Sequence, residues 1–126
     1  MLEASWPGEP ATATAARHAA VEAVRAAGAG AEVCQRVALA VTEAVANAVM
    51  HAYDDHEPAG EVVLRGWSAP GSVVLQVSDA GRGLLPRDDS PGLGLGLALI
   101  RHVADDVRIE SSAATGTALT LVFAVE

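Results

Sequence analysis

Val41-Thr-Glu-Ala-Val-Ala-Asn-Ala-Val-Met-His-Ala-Tyr53 is an alanine- and valine-rich run that carries Glu43, Asn47 and His51 four residues apart. In an α-helix this spacing aligns the three side chains on one stripe, drifting by about 40° per step. A polar stripe on an otherwise apolar helix needs a reason. A carboxylate and an amide so placed can hold a hydrated magnesium ion and orient a nucleophile beside it. Plainer readings stand next to this one. Asn47 can cap a neighbouring loop, and His51, near the end of the run, reads as a packed or capping histidine.

Upstream of this run, residues 1–10 read as a short edge strand and a turn, because Pro7 and Pro10 do not suit a central strand. Thr12 or Thr14 can cap a first helix that continues to about Ala27 and buries Ala16, Ala20, Val24 and Ala27. Gly28-Ala-Gly30 ends it. The second helix spans about 31–53, burying Val37, Val41, Ala44, Val45, Ala48 and Ala52, and Asp54-Asp-His-Glu-Pro-Ala-Gly60 is a polar turn. Downstream, segments 61–68 and 72–78 are separated by Ala-Pro-Gly and predict a hairpin, with Val73, Leu75 and Val77 on one face. A third helix, about 95–104, follows a glycine-rich region. Segments 107–111 and 117–125 predict a closing hairpin with Leu119, Leu121, Phe123 and Val125 on one face. The order predicts an α+β two-layer sandwich, in which a mostly antiparallel mixed sheet carries helices on one face. No repeat, linker or low-complexity segment interrupts the chain, so residues 1–126 read as a single domain.

Composition narrows the function classes. Hydrophobic residues make up 51% of the chain but aromatic ones only 3%, so the core must be built from Val, Leu and Ala. The formal net charge of −8 argues against direct nucleic-acid binding. It suits a basic protein partner, and solubility alone would account for it equally well. All eight basic residues are Arg. The lack of Lys excludes a Walker-type phosphate loop and Schiff-base chemistry. Cys34 is the single cysteine, which excludes an intrachain disulfide or a cysteine metal cage and reads as a small buried side chain. No charged-then-apolar leader opens the chain and no apolar run approaches the roughly 18 residues of a membrane span. A soluble, cytoplasmic protein without membrane contact is the expectation.

Four elements call for a joint explanation: the Glu43/Asn47 stripe; Asp79-Ala-Gly-Arg-Gly83 directly after a strand; Gly92-Leu-Gly-Leu-Gly96 opening a helix; and Thr115-Gly-Thr117 starting the last strand. A carboxylate at the end of a buried strand is costly unless donors meet it, and the exocyclic amine of adenine is one such donor. Gly81 and Gly83 would let the backbone approach a flat ring closely. An Asp-Gly turn, with Asp79 bonding its own backbone, is the alternative. The glycines at 92–96 expose backbone N–H groups at a helix start, a site suited to a phosphate chain, although a hinge would use the same residues.

Taken in order, Glu43-x-x-x-Asn47-Ala, Asp79-x-Gly-x-Gly83, Gly94-x-Gly96 and Gly116-Thr117 resemble the nucleotide-binding boxes of the Bergerat-fold ATPases, the superfamily of gyrase B, Hsp90, sensor histidine kinases and MutL. The wording Glu-Ala-x-x-Asn-Ala-x-x-His-Ala-Tyr and the helix bearing Arg17 are most similar to bacterial anti-sigma-factor serine-protein kinases, over roughly residues 12–124. The resemblance implies ATP and Mg²⁺ as cofactors, with Asn47 coordinating Mg²⁺ and Asp79 binding adenine. Gly81, Gly83, Gly92, Gly94 and Gly96 would line the nucleotide pocket, and Thr117 would lie near the base. Glu43 would be the general base toward a serine of a partner protein. Arg17 would lie on the surface that meets a sigma factor and a STAS-type anti-anti-sigma protein, and a homodimer is possible. Arg82 and Arg87 flank the pocket, whereas Arg101 and His102 read as ordinary helix-surface residues.

The chain departs from the family in one respect. Eight residues, 84–91, stand between Gly83 and Gly92, where the family's lid over the triphosphate is usually longer. A shorter lid closes less completely over the γ-phosphate. The resemblance therefore carries two readings: an ATP-dependent serine kinase that is also an anti-sigma factor, and an ATP-binding anti-sigma or regulatory module without significant transfer. A full histidine kinase is not expected, because the chain has no room for a separate histidine-bearing helix pair.

Overall fold

The computed structural model describes residues 1–52, 60–79, 93–112 and 116–125. Tyr53, the polar turn up to Ala59, Gly81, Arg82, Gly83, the 84–91 segment with Arg87, Gly92 and Thr115 lie outside the described residues, as do the side chains of His51 and Ala52. The elements run β1 (Leu2–Pro7), α1 (Thr12–Ala26), α2 (Ala31–Ala52), β2 (Glu61–Ala69), β3 (Ser72–Asp79), α3 (Leu93–Val103), β4 (Asp106–Ser112) and β5 (Gly116–Ala124). The strands form one sheet in the order β1-β2-β3-β5-β4. Every pairing in it is antiparallel. The expected α+β sandwich is therefore the architecture found, with a sheet that is antiparallel throughout.

Alternation along the strands decides which face meets the helices. In β3, Val73, Leu75, Val77 and Asp79 are buried, and in β5 Thr117, Leu119, Leu121 and Phe123 are. The register sets them side by side, with Val73 opposite Phe123, Leu75 opposite Leu121, Val77 opposite Leu119 and Asp79 opposite Thr117. Against this face α2 lays a stripe of Val37, Ala40, Val41, Ala44, Val45 and Ala48, and α1 adds Ala16, Ala20 and Val24. Alanines on both helices keep the layers close. The core is built mostly of Val, Leu and Ala, with Ile100, Cys34 and one phenylalanine, Phe123, as the low aromatic content required.

Two helix ends differ from expectation. Neither Thr12 nor Thr14 caps α1: Thr12 is its first residue and the N-cap, Ala11, makes no side-chain cap bond. The turn after β1 supplies the acceptors instead, since Thr12 N–H donates to Glu9 O at 2.9 Å and Ala13 N–H to Pro10 O at 3.2 Å. The Thr12 hydroxyl donates to Pro7 O, tying the helix start to the edge strand. At the other end Ala27 is exposed, beyond the helix. Ala29 N–H bonds to Val24 O and Gly28 N–H to Arg25 O, with Gly28 at φ +101°. This is a Schellman closure, and Val24 and Ala29, at the positions that usually make its apolar contact, are both buried. The turn between β2 and β3 is Pro70-Gly71, with the proline fixing one φ and Gly71 taking φ +73°.

Candidate functional site

Four polar or charged side chains are buried among the described residues: Thr12, Asn47, Asp79 and Thr117. Thr12 is accounted for by the link to Pro7. The other three, 7% exposed each, line a single narrow pocket that is partly open to solvent. Their convergence on one otherwise apolar cleft is the feature to explain.

The fold places each by its local geometry. Asn47 sits on the buried stripe of α2 between Ala44 and Ala48, whose small side chains also line the pocket and leave the amide room to reach it. Asp79 is the last residue of β3 and lies on the same face as Val73, Leu75 and Val77, so strand alternation turns it toward the helices. Thr117, the second residue of β5, stands directly opposite Asp79. Val77, Leu97, Ile109 and Leu119 form the apolar wall. An apolar slot with a carboxylate and a hydroxyl at one end suits a flat ring that carries hydrogen-bonding groups.

The Asn47 Nδ2 is buried and has no hydrogen-bond partner among the described residues. A half-turn of the amide exchanges Nδ2 and Oδ1, so either end can serve a ligand in the pocket. Among the described residues no group of three or more His, Cys, Asp or Glu gathers as a metal cage. Magnesium does not need one: it keeps several waters and takes one or two protein ligands beside substrate phosphates. A single amide oxygen from Asn47, which lines the pocket, fits that mode.

The remaining candidates divide. Glu43 is half-buried one turn before Asn47 on α2, outside the residues that line the pocket. Gly94 and Gly96 lie within α3, which begins at Leu93, two residues earlier than expected. They belong to its first turn, where backbone N–H groups have no intrahelical acceptor. Gly96 is buried against the Asn47 amide. Arg17 lies on α1 beside a separate surface depression with Val21 and Arg25. Arg101 and His102 are exposed in the last turn of α3, and Cys34 is buried, both as expected. Sequence reasoning missed Leu97 and Ile109. Ile109 was accessible through register, as it stands opposite Leu119 on the face already assigned to the core.

The chain belongs to the family of histidine kinase-like ATPase domains, whose profile matches residues 6–123. This agrees with the Bergerat-fold resemblance carried by the motifs. The chain is similar to an anti-sigma F factor of Heyndrickxia coagulans, 29% identical over 92 residues, a match that spans 64% of this chain and 63% of that protein. Among solved structures it resembles the RsbU and RsbW domains of Rv1364c from Mycobacterium tuberculosis, with a TM-score of 0.77 and 26% identity over 98% of this chain and 31% of that one. The histidine kinase domain of a blue-light activated histidine kinase from Erythrobacter litoralis EL346 superposes with a TM-score of 0.66 and 25% identity, covering 94% of this chain and 61% of that one. No helix among the described residues is long and apolar enough to cross a membrane.

Proposed function

We propose that this chain is a cytoplasmic anti-sigma factor that binds Mg·ATP and phosphorylates a serine of a STAS-type anti-anti-sigma protein. The observation that carries the reading is the convergence of Asn47, Asp79 and Thr117, three of the four buried polar side chains among the described residues, on one apolar pocket. In this reading Asp79 accepts a hydrogen bond from the adenine amine, and Thr117 lies beside the base. Asn47 would hold the magnesium ion, which neutralises phosphate charge when bound. The Glu43 carboxylate takes the proton of the serine hydroxyl as its oxygen bonds to the γ-phosphorus and the bond to the β-phosphate oxygen breaks, releasing ADP. Membership of the family supports the nucleotide, and likeness to an anti-sigma F factor supports the partners.

A second reading keeps nucleotide binding and omits transfer. Two observations favour it: Glu43 does not line the pocket, and only eight residues separate Gly83 from Gly92. One experiment separates the two. The protein is incubated with γ-labelled ATP, Mg²⁺ and its anti-anti-sigma partner, while melting is followed with and without nucleotide. A ligand at 100 times its dissociation constant stabilises by about 2.7 kcal/mol, a gain that Asp79→Asn should abolish. Label on the partner that is lost in Glu43→Gln, with the melting shift retained, supports the kinase. A melting shift without label leaves the binding module. No shift at all refutes both.

A further inference from the structure

Gly96 and Asn47 meet where α3 packs on α2. A Cβ built on Gly96 would lie 2.8 Å from Asn47 Nδ2, 3.2 Å from Oδ1 and 3.4 Å from Cγ. Any side chain at position 96 therefore claims the space that the amide occupies. Alanine is the better helix former, so glycine here runs against local preference. The amide contact is the reason visible at this position.

What would yield to a larger residue is decided by what holds each partner. α3 is pinned at its far end, where Arg36 Nη1, from the first half of α2, donates to Val103 O at 2.9 Å. Arg36 also pairs with Asp105 at 3.6 Å, and the Asp105 carboxylate accepts the Ala124 N–H of β5 at 2.7 Å. Between the two ends, Ile100 is fully buried in the core. Moving α3 would disturb all of these. The amide is the tip of a short side chain whose Nδ2 has no partner among the described residues. It gives way first.

We propose that Gly96 is a positioning residue for Asn47: the absent side chain leaves the amide its place at the pocket, and a Cβ at 96 turns it away from a bound metal ion while the fold persists. The proposal rests on the reading of Asn47 as a magnesium ligand. It has Gly96 act through Asn47 rather than by touching nucleotide.

The test compares wild type, Gly96→Ala, Asn47→Ala and the double variant. ATP affinity is measured in Mg²⁺ and in EDTA, and melting temperature without nucleotide. The expected result is that Gly96→Ala loses about tenfold or more of the affinity that Mg²⁺ adds, the scale seen when supports of metal ligands are removed, with affinity in EDTA unchanged. Asn47→Ala does the same, and the double variant is no worse than either. Without nucleotide, Gly96→Ala lowers the melting temperature in the wild-type background but not in the Asn47→Ala background, the coupling of a direct contact. If Gly96→Ala alone does not fold, the double variant should, and its failure to do so would overturn the proposal. Equal losses in Mg²⁺ and EDTA would place Gly96 against the nucleotide itself and overturn it too. A Mg²⁺ effect kept by Gly96→Ala but lost by Asn47→Ala overturns the proposal and leaves the magnesium reading standing. A Mg²⁺ effect kept by Asn47→Ala removes the magnesium reading, and the proposal with it.

Discussion

Asn47 is 7% exposed, and its Nδ2 has no hydrogen-bond partner among the described residues. An unsatisfied buried donor costs a folded protein about 1–3 kcal/mol. Stability alone would not keep such a group, so its removal should be cheap in the ligand-free protein. Alanine at 47 loses some packing, but it removes the orphaned amide and favours the helix. Asn47→Ala should therefore change the unfolding free energy by less than about 1 kcal/mol, measured by urea denaturation without nucleotide. A loss above about 2 kcal/mol would show that the amide holds the fold together rather than serving a ligand. Periodicity made Asn47 and Asp79 legible, since both fall on faces otherwise given to Val, Leu and Ala. It could not rank Glu43 against Asn47, because spacing places both on one stripe. The drift of the stripe separates them: Asn47 reaches the pocket, while Glu43 is half-buried and does not line it.

Among the elements, the end of α1 isolates a backbone effect from packing. Gly28 has φ +101°, and a Cβ added there would meet nothing within 4 Å. Gly30, two residues on, also has open space, without the left-handed backbone. Gly28→Ala should therefore destabilise by about 1–2 kcal/mol through conformation alone, whereas Gly30→Ala should be near neutral. Equal effects of the two in chemical denaturation would show that the closure after α1 does not depend on the left-handed residue. This glycine punctuation was readable because its chemistry is local. The start of α3 was not. Gly92-Leu-Gly-Leu-Gly96 reads as a glycine-rich opening to a helix from about residue 95, yet the helix begins at Leu93. Packing of α3 on α2, with the Asn47 amide filling the space beside Gly96, outweighs the low helix propensity of glycine. The start of α1 was misread for a related reason. Threonine is a good N-cap, but carbonyls of the preceding turn already accept the first helical N–H groups.

Across the whole molecule, alternation in the strands disclosed which side chains face inward, but not that β5 lies between β3 and β4. That pairing joins segments far apart in the chain, and it brings Thr117 opposite Asp79 and so completes the pocket. The cleft draws on every element except the first helix and the first two strands: α2 contributes Asn47, β3 Asp79, α3 Leu97, β4 Ile109 and β5 Thr117. A ligand there bridges the sheet and the helix layer at one end of the fold. Local opening that separates those elements must then also release the ligand, so binding should suppress it by mass action. Saturating Mg·ATP should slow amide hydrogen exchange in the second half of α2, the end of β3, α3 and the start of β5. β1 and α1, which contribute no pocket residue, should slow only to the extent that they exchange through global unfolding. Exchange mass spectrometry with and without nucleotide reads this directly. Protection concentrated on α1 would place the ligand in the depression beside Arg17 instead.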